Sequence, residues 1–203
     1  EQWRAAFQHK PGHVINAASA LAETLAAFAR KIRDAASTII QHESEEKGHL
    51  RRLHRGFRDA LIHDLTEEDF ADTYAQTVTY GLLTAAVSRT EASAVEDTAL
   101  TTGNICDMVP VTNPFLKEML EEFLKAGGRK GGIDFDELVI QNVVELLRDP
   151  ERTDLAAVLR DFGNKTQGED PVIHFYEHFL EAYNKKLRIQ RGVFYTPQPV
   201  VSY

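Results

Sequence analysis

Thr66-Glu67-Glu68-Asp69-Phe70-Ala71-Asp72-Thr73-Tyr74-Ala75-Gln76-Thr77-Val78-Thr79-Tyr80-Gly81-Leu82 decides the fold class. Thr66 followed by Asp69 three residues later has the form of a capping box, so a helix starts here. Phe70, Tyr74, Val78, Gly81 and Ala85 then recur at three- and four-residue steps, which puts them on one helical face. The same period appears upstream. Leu21, Leu25, Phe28, Ile32, Ala35 and Ile39 form an apolar seam on one long helix. Leu50, Leu53, Phe57 and Leu61 belong to a second helix, or to the same one after a break at Gly48.

Downstream, Asn113-Pro114 restarts helix with Pro at the first helical position. Phe115, Met119 and Phe123 recur there, and Gly127-Gly128-Arg129-Lys130-Gly131-Gly132 stops it. Asp134 and Glu137 are read as caps of a helix that buries Leu138, Val143, Leu146 and Leu147 and ends before Pro150. Leu155, Val158, Leu159 and Phe162 predict a short helix closed by Gly163-Asn164. Asp170-Pro171 opens the last, with Val172, Tyr176, Phe179, Leu180 and Tyr183 inward. Convincing period-two alternation is absent before Val193. The expected architecture is all-α, a bundle or orthogonal array of about seven helices with an extended C-terminal tail. Its expected parts are an N-terminal helical segment (1–89), an irregular connection (90–113), a C-terminal helical segment (114–191) and a tail (192–203).

Composition sets bounds on function. The chain has 203 residues, 43% hydrophobic and 27% charged, ordinary for a globular protein with a sizeable core. No apolar run is long enough to span a membrane. One cysteine, Cys106, allows no internal disulfide framework and fits a reducing, cytoplasmic setting. A net charge of −8 argues against a surface that is basic throughout, as a nucleic-acid platform would be. Two local basic clusters stand out against that background. Arg51, Arg52, Arg55 and Arg58 form the first, with Arg51, Arg55 and Arg58 on one helix face. Lys185, Lys186, Arg188 and Arg191 form the second. Either could contact DNA phosphates, and either could be a solvated face paired with acidic neighbours.

Two metal patterns are weaker. His174-Phe175-Tyr176-Glu177-His178 matches H-x-x-E-H and would set two histidines one turn apart. A catalytic zinc needs a third protein ligand, and nothing marks one. An amphipathic helix with aromatics inward and histidines at its edges accounts for the same residues. Glu45-Glu46-Lys47 offers half of a nuclease metal site without the strand-borne Asp such sites need, so it reads as a solvated turn. His42, His49, His54 and His63 share no ligand spacing and read as surface or rim residues. No metal site and no catalytic residue is expected.

Several blocks, in order, carry a family resemblance. Phe70-Ala71-x-x-Tyr74-Ala75-Gln76-Thr77-x-x-Tyr80-Gly81-Leu82, Asn113-Pro114-Phe115-Leu116, His174-Phe175-Tyr176-Glu177-x-Phe179-Leu180-x-x-Tyr183 and Gly192-Val193-Phe194-Tyr195-Thr196-Pro197-x-x-Val200-Val201 are the four. Together they resemble the region preceding the catalytic domain of adenine-N6 DNA methyltransferases in large single-chain restriction–modification enzymes. Residues 1–60 carry little of this signal. The resemblance implies a helical connector between an upstream nuclease, sometimes with a helicase motor, and a doubly wound methyltransferase domain. That domain moves a methyl group from S-adenosylmethionine to adenine in DNA. Phe194, Tyr195, Thr196 and Pro197 match the segment that lines the cofactor site in such enzymes. The chain ends before the glycine-rich cofactor loop and the N-P-P-Y-type motif, so alone it is expected to be inactive. The alternative reading is a stand-alone helical protein-interaction domain without catalysis.

Overall fold

The structure is a computed structural model and describes residues 14–44, 48–92, 114–125, 139–165 and 171–184. Among these, seven helices carry the fold: α1 (Ala18–His42), α2 (His49–Ala60), α3 (Glu67–Ala92), α4 (Pro114–Lys125), α5 (Ile140–Arg148), α6 (Leu155–Lys165) and α7 (Pro171–Tyr183). The described residues form no strand; the one isolated β-bridge pairs Ile15 with Thr153. The chain is all-α, as its periodicity predicts. No described helix is long and apolar enough to cross a membrane. The irregular connection expected at 90–113 starts later, because residues 90–92 continue α3 to Ala92; its remainder, the expected tail at 192–203, Glu45-Glu46-Lys47, the glycine run at 127–132, Asp134, Glu137 and Cys106 lie outside the described residues.

Helix α3 is the centre. Phe70, Tyr74, Val78 and Ala85 are buried, as the sequence face requires, but so are Ala71, Ala75, Leu82, Leu83, Ala86 and Val87. A helix that is apolar on more than one side must be covered on more than one side. Accordingly α1, α4, α5 and α6 all pack on α3. Thr66 caps its start as expected, the Asp69 backbone N–H donating to Thr66 Oγ1 at 3.0 Å, while the Thr66 hydroxyl, in place of the backbone N–H of a full capping box, donates to the Asp69 carboxylate at 2.7 Å.

Helix α1 packs most extensively on α7 and α3. Its buried stripe is not quite the expected seam. Leu21, Leu25 and Ile32 are buried, but Phe28, Ala35 and Ile39 are only partly so. Ala18, Ala22, Ala26, Ala29, Ala36 and Ile40 are buried in their place. Alanines give a helix a low surface over which two neighbours can approach closely, and large side chains are displaced to its flanks. Residues from both helical halves of the sequence form one continuous core cluster.

The break at Gly48 is real and has a steric cause. The Glu43 carboxylate accepts backbone N–H groups of His49 at 2.9 Å, Leu50 at 3.3 Å and Arg51 at 2.9 Å, so it caps α2. A Cβ on Gly48 would lie 2.6 Å from Glu43 Cβ, which only glycine avoids. In return Arg51 donates from Nη2 to the Ile40 carbonyl at 2.6 Å and from Nε at 3.2 Å, closing the C-terminus of α1.

Two boundaries differ from expectation. Helix α5 begins at Ile140, after Val139 in the left-handed region (φ 64), and it buries Ile140 and Val144 besides Val143, Leu146 and Leu147. Helix α6 runs through Gly163-Asn164 to Lys165, so that pair does not close it; a glycine inside a helical pattern is tolerated at a modest cost. Its start is fixed by the Asp154 carboxylate, which accepts from the Ala157 N–H at 2.9 Å. Asp161 reaches back from α6 to accept the first backbone N–H of α1, that of Ala18, at 3.1 Å.

Helices α3 and α4 meet at Gly81. A Cβ there would sit 2.9 Å from Leu120 Cδ2, and Leu120 is fully buried. Gly81→Leu is therefore expected to overpack this contact and destabilise the protein by about 1–3 kcal/mol. Gly81→Ala, which a small shift of the Leu120 side chain can accommodate, costs less. Urea denaturation of the two variants checks the order; equal, wild-type stability for both would place Gly81 away from the contact.

Candidate functional site

Two of the resembling blocks, α3 and α7, meet side chain to side chain although about a hundred residues separate them. The Tyr183 hydroxyl donates to Asp72 Oδ1 at 2.6 Å. Gln76 donates to the other Asp72 oxygen at 2.6 Å, and the Tyr176 hydroxyl reaches Gln76 Oε1 at 3.5 Å. Tyr176 also packs edge-on against Tyr80, ring centroids 5.2 Å apart. Asp72, Gln76 and Tyr80 are spaced by four, so they form one stripe on α3. Tyr176, Phe179 and Tyr183 form the answering stripe on α7, where Phe179 and Tyr183 stack at 5.6 Å. The inward side of α7 is thus aromatic: Phe175, Phe179, Leu180 and Tyr183 are buried and His178 is exposed.

This ladder ends where the chain leaves α7. Arg30 of α1 donates to the Ala182 carbonyl at 2.7 Å and to that of Tyr183 at 3.4 Å, capping the helix. Arg33 lies over the Tyr183 ring, 5.9 Å from its centroid, and bonds Asp34 at 2.7 Å. Burial works against the Arg33 charge, but the Asp34 hydrogen bond, Tyr183 and Asp72 outweigh it and hold its pKa above the usual value. Burial, and then the bond to Asp72, push the Tyr183 phenol well above its ordinary 10.0. Beside this exit lies a groove of about 390 Å³ lined by Arg33, Asp34, Ser37, Glu68, Asp69, Ala71, Asp72 and Asn184. Four carboxylates, the Arg33 guanidinium and small side chains make its walls.

The first basic cluster is split by the fold. Arg51 is committed to the α1 cap, with Nη1 3.7 Å from Glu67 and its side chain 17% exposed. Arg52, Arg55 and Arg58 are exposed. Arg58 lies 3.5 Å from Asp59, and Arg52 Nη2 is 2.9 Å from His49 Nδ1. Lys185, Lys186, Arg188 and Arg191, like Phe194, Tyr195, Thr196 and Pro197, lie outside the described residues. His54, read as a surface or rim residue, is instead buried. Its Nε2 bonds the Leu65 carbonyl at 2.8 Å and its ring packs on Phe70 at 5.3 Å. It belongs to an aromatic knot with Phe57, Tyr74 and Phe123, in which Tyr74 and Phe123 lie 4.9 Å apart. Among the described residues no group of three or more His, Cys, Asp or Glu could hold a metal ion.

Arg30 and Arg33 are the contributors that the sequence reading did not single out. Their signal was faint: two arginines three residues apart on the flank of an alanine-rich apolar stripe. Comparison of the chain with known protein families, curated proteins and solved structures finds no match.

Tyr183→Phe is expected to lose about 1.5–3 kcal/mol at neutral pH, the range for a hydrogen bond to a charged group. The phenol has a raised pKa in the folded chain, so its contribution is complete below 10.0 and is lost as pH climbs above that value. The Phe variant should therefore show a shallower alkaline fall in stability than the wild type. Denaturation at neutral and alkaline pH checks both; an unchanged neutral stability would mean that Asp72 and Tyr183 do not hold each other in solution.

Proposed function

We propose that this chain is the helical connector of a restriction–modification enzyme whose downstream domain transfers a methyl group from S-adenosylmethionine to adenine N6 in DNA. The observation that supports it is the ladder. Residues singled out by the resemblance, Gln76 and Tyr80 on one helix and Tyr176 and Tyr183 on another, face each other in space. A connector has to deliver the chain to the next domain in a fixed direction. Here α7 is held by the buried Phe175, Phe179 and Tyr183, and by Arg30 and the Asp72–Tyr183 bond at its last turn.

On this reading the chain beyond Asn184 carries the second basic cluster to the DNA-bearing side of the enzyme. It then supplies Phe194, Tyr195, Thr196 and Pro197 as one wall of the cofactor pocket. A Thr hydroxyl can hydrogen-bond the amino-acid end of the cofactor, and the neighbouring aromatics and proline can wall its apolar part. S-adenosylmethionine supplies the electrophilic methyl group. The remaining wall, the adenine-positioning groups, and the nuclease and helicase partners belong to other parts of the same polypeptide.

In the intact enzyme Thr196→Ala is expected to weaken S-adenosylmethionine binding about two- to tenfold, the equivalent of one neutral hydrogen bond. The 203-residue chain alone should show no saturable binding at micromolar cofactor. Calorimetry on both measures this. Tight binding by the chain alone would move the site into the helices and overturn the assignment.

A further inference from the structure

We propose that α5 has two alternative starts, the one at Ile140 and a longer one capped by Asp134, and that the backbone of Val139 switches between them. Among the described residues Val139 is the one non-glycine with a positive φ, 64°. A β-branched side chain crowds its own backbone in that region, so the position carries strain. The start that this strain maintains is a poor one. Val139 supplies no side-chain cap, and the first turn of α5 has no acidic residue. By contrast, the starts of α1, α2, α3 and α6 each have a side-chain oxygen on an early backbone N–H, from Asp161, Glu43, Thr66 and Asp154.

A better start is written directly upstream, in Ile133-Asp134-Phe135-Asp136-Glu137-Leu138. With Asp134 as N-cap, Glu137 falls at the third helical position, where a capping box has its acid, and Asp136 and Glu137 both favour the positive end of the helix dipole. Ile133 and Leu138 then occupy the two positions that form a hydrophobic staple. Local chemistry thus asks for helix from Asp134, and the fold begins it at Ile140. What holds the short start is packing: Val139 rests partly buried on the core, and Ile140 is fully buried. Opposed demands that meet at one strained residue make a bistable element, and such conflicts gather at functional positions. Relaxing Val139 to a right-handed φ adds residues 135–139 to α5. A helix takes up chain at less than half its extended length, so the connection to α4 shortens by at most about 9 Å. Helix α5 packs on α3, and α4 sits on α3 at Gly81, so the switch acts between two helices that share one support.

Backbone chemical shifts and relaxation dispersion of the 203-residue chain test this. In the wild type the short start should dominate, with left-handed shifts at Val139, while residues 135–139 exchange with a minor helical state. Val139→Gly accepts a φ of 64° without strain, so it should abolish the exchange in favour of the short start. Val139→Ala, a better helix former with less side chain to bury, should raise the helical population severalfold. Adding Asp134→Ala to it should lower that population about fivefold, the usual effect of losing an N-cap. Helical shifts running unbroken from Phe135 through Val139 in the wild type would overturn the short start. Non-helical shifts at 135–139 in both the wild type and Val139→Ala, without exchange, would overturn the long one. These readouts concern α5 alone, so the proposal and the connector reading fail independently.

Discussion

The burial of α3 on more than one side is the constraint on which the other helices depend. A 26-residue helix with Phe70, Tyr74, Val78, Leu82, Leu83 and Val87 buried cannot lie on a surface. Burying each such side chain contributes about 1.5–3 kcal/mol, so the covering helices are recruited by α3. Two adaptations let them reach it: Gly81 admits Leu120 of α4, and the buried alanines of α1 keep that helix low enough to serve α3 and α7 together.

Given that packing, one set of charged contacts closes helix ends. Glu43 closes the start of α2 and Arg51 the end of α1. Asp161 meets the start of α1, and Arg30 the end of α7. Each charge comes from outside the helix it caps, so each cap also fixes how two segments meet. A helix terminus leaves several backbone groups without intrahelical partners, and supplying them from a neighbour links local to tertiary structure. The exit of α7 has the densest set, with Arg30, Arg33, Asp72 and Tyr183 converging there. That concentration gives the connector reading its physical content.

What was legible in the sequence was local. Thr66 with Asp69, the prolines at 114 and 171 and the glycine at 48 set helix boundaries through nearby backbone chemistry, and the structure keeps those boundaries. What was not legible depended on partners distant in sequence. Arg51 reads as one more surface arginine until α1 is placed beside it. His54 reads as a rim residue until Leu65 and Phe70 close over it. The α1 seam was displaced because large residues drew the reading, while alanines made the close contacts. The end of α6 ran on because glycine and asparagine permit a helix stop without imposing one. The side chains of the ladder could be named from sequence, since Gln76, Tyr80, Tyr176 and Tyr183 lie within the resembling blocks, but their pairing across the fold could not.

Native-state hydrogen exchange tests the central claim most directly, that α1, α3 and α7 form one cooperative unit ending in a rigid chain exit. Opening free energies differ between regions that unfold separately and coincide in regions that unfold together. The account predicts that the interior amides of α1, α3 and α7 exchange only through one common opening, with protection in α7 extending to its final turn at Tyr183. Protection in α7 well below that of α3, with its last turn exchanging as a free peptide, would contradict it.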